Sequence, residues 1–151
     1  MNKAQVGKRG EQVAAAYLKK HGFQVLEKNL HVSHQEIDII AVNRSCIVFV
    51  EVKTRIQTPE TADRYSTPAA AVTQAKQAHL LRAAQKYIAN HNKYELQPRM
   101  DVIEVFLAPD EVLRKSDRIW ESVSTLFGIP QRKVLKINHI ENAFGMHGYH
   151  T

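Results

Sequence analysis

Apolar residues along the chain fall into two periods. From Ala4 to Lys20 they recur at helical spacing, with Val6, Gly10, Val13, Ala14, Tyr17 and Leu18 on one stripe and Gly22 placed to cap the end. This predicts a first helix. Phe23 to about His31 reads as a strand. The runs Glu36–Val42 and Cys46–Lys53 are dense in Ile, Val and Phe and are separated by Asn43-Arg44-Ser45, the pattern of a β-hairpin. Thr67-Pro68 offers an N-cap followed by proline at the first helical position. It predicts a helix to about Ala89, with Ala69, Val72, Leu80, Ala83 and Tyr87 turned inward. Met100–Leu107 and Val134–Ile140 read as further strands, and the stretch opened by Pro109-Asp110 as a ragged helix ended by Gly128-Ile129-Pro130. This order predicts an α/β fold, a mixed sheet with helices on both faces. Residues 1–144 read as one domain and 145–151 as a flexible tail.

The hairpin carries charges where charges are rare. Ile47, Phe49, Glu51 and Lys53 share one strand face, while Val48, Val50 and Val52 share the other. Strands apolar on both sides belong in the middle of a sheet. A two- or four-residue loop sets Ile40 against Phe49, Val42 against Ile47 and Asp38 against Glu51, whereas an unbulged three-residue loop would separate the two acids. The first register keeps apolar with apolar and is preferred. Opposed Cβ atoms lie roughly 5 Å apart, and two carboxylates near 4 Å repel by about 4 kcal/mol at an effective dielectric of about 20. Lys53 offsets part of this. A divalent cation held by oxygen ligands removes it more completely. Glu11, at the edge of the first helix's apolar stripe, is positioned to supply a third acid if that helix covers the sheet.

Composition narrows the setting. The chain has 151 residues, enough for one core, with 44% hydrophobic and 24% charged residues. Lys and Arg outnumber Asp and Glu by 21 to 15, a formal charge of +6 that favours a polyanionic partner. The single Cys46 excludes an intramolecular disulfide and any Cys-rich zinc site. A polar N-terminus and the lack of a run of about 20 apolar residues predict a soluble, cytoplasmic protein without membrane association. Arg55, Arg64 and Tyr65, read as lying in a loop from Thr54 to Ser66, suit phosphate and base contacts, and Lys76 suits a phosphate if its helix crosses the acids. Asp101 reads as structural, paired with Arg99 or Arg55. His31 and His34 read as surface residues.

Glu11, Asp38 and Glu51-Val52-Lys53, on a helix and two neighbouring strands, resemble the core of the PD-(D/E)XK, or restriction-endonuclease-like, nucleases. More narrowly, Gly10-Glu11 with Ala14 and Leu18, Glu36-Ile37-Asp38-Ile39-Ile40-Ala41, Val48 to Arg55, Lys76, Asp101 and His139 to Phe144 resemble the YraN-like family of small bacterial proteins, relatives of archaeal Holliday-junction resolvases. The likeness spans most of residues 7 to 144. Gln35 stands where that family has Gly, and the segment from Pro109 to Lys133 is longer.

The resemblance implies a three-layer α/β/α restriction-endonuclease-like fold. It implies that Asp38, Glu51 and the Val52 carbonyl hold Mg²⁺ or Mn²⁺, that Glu11 completes the inner or outer shell, and that Lys53 orients the attacking water or stabilises the transition state. The function implied is a metal-dependent DNA endonuclease, with branched DNA and a homodimer expected by analogy. Two other readings stay open: a DNA-binding protein that keeps the fold without turnover, and an RNA- or nucleotide-processing hydrolase.

Overall fold

Asn2 opens the first element with a capping box: its side chain accepts from the Gln5 N–H, and the Gln5 side chain accepts from the Asn2 N–H, both at 2.9 Å. The computed structural model describes residues 2–57, 72–109 and 134–145. Helix α1 (Lys3–Lys20) ends in a Schellman turn in which the Phe23 N–H bonds the Leu18 carbonyl and the Gly22 N–H the Lys19 carbonyl. Gly22 has φ +87°, the left-handed conformation this cap requires.

Strands β1 (Gln24–Val32), β2 (Gln35–Val42), β3 (Cys46–Ile56), β4 (Gln97–Leu107) and β5 (Val134–Ile140) form one mixed sheet in sequence order. Only β3 and β4 run parallel, and helix α2 (Gln74–Asn90) makes the crossover between them. The fold is thus α/β, an open five-stranded sheet with a helix on each side. The central place of β3 accounts for its two apolar faces. Ile47 and Phe49 pack with Ile40, Met100, Val102 and the α2 residues Leu80, Ala83, Ala84 and Tyr87. Val48 and Val50 pack with Ile39, Ala41, Ile103, Val105 and the α1 residues Val13, Ala14 and Leu18.

The hairpin adopts the preferred register, with Ile40 opposite Phe49 and Val42 opposite Ile47. Asn43 makes the turn: its N–H bonds the Cys46 carbonyl at 3.0 Å, and its side-chain oxygen accepts from the N–H groups of Ser45 and Cys46 at 2.9 and 2.8 Å. Two boundaries differ from the sequence reading. β3 continues through Thr54, Arg55 and Ile56 because every residue from Cys46 to Ile56 pairs with β4. α2 starts at Gln74, capped by Thr73, whose hydroxyl accepts from the Lys76 N–H at 3.2 Å, and not at Pro68. Val72 is buried just ahead of that cap. Arg64, Tyr65, Thr67-Pro68, the expected helix after Pro109 and the expected tail after Gly145 lie outside the described residues. No helix among the described residues is long and apolar enough to cross a membrane.

Gly10 sets how closely α1 sits on the sheet. A Cβ there would lie 1.7 Å from the Thr54 Oγ1 and 2.8 Å from the Thr54 Cβ, so a rotated hydroxyl alone cannot make room. Gly10→Ala is therefore expected to destabilise the protein by about 1–2 kcal/mol through overpacking, even though alanine is the better helix former by about 1 kcal/mol. Urea unfolding measures this, and a neutral or stabilised variant would show that the close seat is unnecessary.

Candidate metal centre

The β2–β3 ladder ends at the Ile39–Val50 pair. One residue further on, Asp38 turns its side chain to β3 and its Oδ2 accepts from the Val52 N–H at 2.8 Å. A carboxylate thus takes the place of a strand carbonyl. In an extended strand a residue's N–H and C=O point to the same edge, so the Val52 carbonyl faces the side on which Asp38 lies, beyond the end of the ladder.

Three further acids surround this point. Glu11 comes from α1, seated by Gly10. Glu36 stands two residues before Asp38 on β2. Glu11, Glu36 and Asp38 each offer a carboxylate oxygen, and these oxygens lie within 4.8 Å of one another. Glu51, on β3, is only 5% exposed, and its Oε1 accepts from the Lys76 ammonium at 2.6 Å while the Lys53 ammonium stands 3.5 Å away. Asp38 and Glu51 are near enough that the charge of Glu51 opposes the ionisation of Asp38. Burial first, and then the charge of Glu51, push the Asp38 carboxyl up to about 7, against the Val52 N–H and Lys76, which favour its ionised form. Burial also raises Glu11, assisted by the charges of Glu36 and Glu51 and opposed by a hydrogen bond from the Asn29 side chain.

The structure therefore brings together Glu11, Asp38, Glu51, Val52 and Lys53. It adds Glu36, which the sequence reading left out of the candidate set. The signal was present, since residues i and i+2 share a strand face and Glu36 precedes Asp38 by two. Two of the expected nucleic-acid contacts, Lys76 and Arg55, have protein partners. Lys76 holds Glu51, and the Arg55 Nε lies 3.0 Å from the buried Glu104, which also accepts from the Asn138 side chain at 3.1 Å.

Asp101, itself fully buried, belongs to a separate network. It accepts from Arg99 Nε and Nη2 at 2.8 and 2.9 Å, from His139 Nε2 at 2.7 Å and from the Asn142 N–H at 3.0 Å. With Nε2 donating, His139 Nδ1 accepts from the Tyr17 hydroxyl of α1 at 3.2 Å. Of the two partners expected for Asp101, Arg99 is the one it has.

The raised Asp38 carboxyl gives stability a pH dependence. The unfolded side chain titrates near 4 and the folded one near 7. Between those values the folded protein holds a proton that the unfolded chain lacks, so stability falls as pH rises through the window and levels off above it. Asp38→Asn removes this titration and keeps an oxygen for the Val52 N–H. In chelator, the variant is expected to match wild type near pH 4 and to exceed it by about 1–2 kcal/mol at pH 8, an amount reduced from the full shift for solvent screening. Urea unfolding at the two pH values measures it, and an advantage independent of pH would refute it.

Residues 10–105 match the model of the uncharacterised protein family UPF0102. The chain is 40% identical over 144 residues to a UPF0102 protein of Caldanaerobacter subterraneus subsp. tengcongensis, covering 95% of this chain and 98% of the relative. It is 38% identical over 127 residues to one of Chlorobium chlorochromatii, covering 84% and 94%. A UPF0102 protein of Symbiobacterium thermophilum is 43% identical over 109 residues, covering 72% and 88%. The matched region contains Glu11, Glu36, Asp38, Glu51, Lys53 and Lys76.

Proposed function

The chain belongs to the uncharacterised protein family UPF0102, and we propose that it is a Mg²⁺- or Mn²⁺-dependent DNA endonuclease of the restriction-endonuclease-like type. The observation that carries this reading is the convergence of Glu11, Asp38 and Glu51 from three separate elements, with Lys53 beside Glu51.

The donor set suits a hard cation. All of the candidate ligands are oxygens; the carboxylates of Glu11, Glu36 and Asp38 meet within 4.8 Å, and burial and neighbouring negative charge oppose the ionisation of Glu11 and Asp38. Asp38, Glu51 and the Val52 carbonyl would hold the ion, with Glu11 and Glu36 in its inner or outer shell. When bound, such a cation supplies a more acidic water and neutralises charge on the scissile phosphate.

The chain's own residues contribute the rest. The Val52 N–H fixes the Asp38 carboxylate in one orientation, so little is lost in ordering it. Lys53, on the rigid central strand, would present a positive charge to the phosphoryl oxygens and to the water that attacks the phosphorus. The net charge of +6 supports attraction of the DNA backbone. Branched DNA is the preferred substrate by analogy with the junction resolvases, and a homodimer would suit paired cuts.

The test is cleavage of junction, flap, single-stranded and double-stranded DNA in Mg²⁺ or Mn²⁺, with chelator and RNA controls. Cation-dependent cleavage that a chelator stops is expected. No cleavage of any of these DNAs, with salt-sensitive DNA binding retained, would overturn the reading in favour of a binding protein.

A further inference from the structure

Glu51 poses a problem that its neighbours solve in a telling way. Its carboxylate is 5% exposed, and a buried charge at that depth needs a partner. It has two, and both ammonium groups lie on the same oxygen, Lys76 at 2.6 Å and Lys53 at 3.5 Å. The lysines differ in their freedom. Lys53 rises from the central strand, paired on one side with Glu104 of β4, and its side chain is 29% exposed. Lys76 sits in the first turn of α2, its backbone N–H fixed by Thr73 and its side chain 37% exposed. Its four-carbon stem can therefore swing towards solvent without moving the helix. A divalent cation beside Glu51 would repel both ammonium groups, and Lys76 is the one with somewhere to go.

We propose that Lys76 is the counter-ion of Glu51 when no cation is bound, that it yields this carboxylate when a cation enters, and that its ammonium then passes to a phosphate of the DNA. This rests on the cation reading given above and assigns Lys76 a role within it. Lys76 acts as a positioning residue that prevents Glu51 from standing as an uncompensated buried charge. It becomes a DNA contact only once the cation has replaced it. DNA affinity and cation affinity are thereby coupled through one side chain, and by linkage each ligand favours the other.

The test measures Mn²⁺ binding by the loss of the free-ion paramagnetic resonance signal in wild type, Lys76→Met and Lys76→Arg. If ion and ammonium compete, Lys76→Met binds Mn²⁺ more tightly, by at least about threefold, because the competitor is gone. Lys76→Arg binds it more weakly, because a guanidinium can hold the carboxylate with two hydrogen bonds. A second readout is the salt dependence of DNA binding. In Ca²⁺ the slope of log affinity against log salt should be smaller for Lys76→Met by about 0.9, the loss of one phosphate contact, while in chelator the two proteins should share one slope. Mn²⁺ affinity in Lys76→Met equal to or weaker than wild type, or a slope difference that persists in chelator, would overturn the exchange. Wild-type cleavage in the assay above would then still stand. A wild type that binds no Mn²⁺ would remove the exchange and the cation reading together.

Discussion

Glu51→Gln is expected to lower cation-dependent DNA cleavage by at least about a thousand-fold while leaving salt-sensitive DNA binding in place. The size follows from what the carboxylate would do. A cation at a phosphoryl centre supplies several kcal/mol of transition-state stabilisation, and each 1.36 kcal/mol is a factor of ten in rate. A neutral amide keeps the shape of Glu51 but loses its charge, and with it both the ion's hold and the register of Lys53. The folded protein should not suffer. Among neighbouring charges Glu51 most strongly opposes ionisation of Asp38, and its removal relieves that repulsion. Asp38 should therefore titrate lower in the variant, and the thermal shift produced by Mg²⁺ should shrink. The decisive comparison is the single-turnover rate of wild type and variant on the best DNA substrate, with circular dichroism to show that both are folded. A variant within tenfold of wild type would remove Glu51 from the chemistry.

Asp101→Ala is expected to have the largest effect on stability, a loss of about 3–5 kcal/mol, the usual consequence of taking one partner from a buried ion pair. Asp101 is fully buried and receives four hydrogen bonds, two from Arg99 and one each from His139 and the Asn142 N–H. Its removal takes the nearest partner from a guanidinium that is only 21% exposed, leaving it Glu141 at 3.8 Å, and leaves the His139 imidazole, 9% exposed, and the Asn142 N–H without this acceptor. The damage spreads because the network ties β4 to β5, and through Tyr17 to α1. For a protein of this size the loss corresponds to a fall in melting temperature of roughly 10 °C. Burial alone would raise the Asp101 carboxyl, but the bonds from His139, Arg99 and Asn142 outweigh it and hold the group below the ordinary range. Its contribution to stability is thus present above about pH 4 and is lost as pH falls further, the opposite sense to Asp38. Urea unfolding at neutral and acid pH checks both statements. A loss of under about 1 kcal/mol would mean that the network can re-form around a water.

What could be read from the sequence was local. The hairpin register followed from pairing Ile40 with Phe49 and Val42 with Ile47, and it set Asp38 against Glu51. The ladder's end at Ile39 was not legible, because it arises when the Asp38 side chain takes the Val52 N–H. The stripe on α1 and the placement of Gly22 were likewise visible in the periodicity. The start of α2 was not, since Thr67-Pro68 and Thr73 both offer capping chemistry and only packing decides where the helix begins. The extension of β3 to Ile56 depends on its parallel pairing with β4, some fifty positions away, and no nearby residue signals it. The same holds for Asp101. Arg99 is two residues away on the same strand face and could be named in advance, whereas His139 arrives with β5. Glu36 differs again: it shares the strand face of Asp38, two residues away, but the hairpin register sets Asp38 and not Glu36 against Glu51, so pairing alone does not point to it.

The contact between Gly10 and Thr54 bears on more than packing. Because a single methyl group's absence lets the first helix settle so low, the carboxylate that follows it in the chain can reach across to the sheet at its natural length. The first element is intrinsically weaker for having a glycine in its middle, and what it gains is nearness.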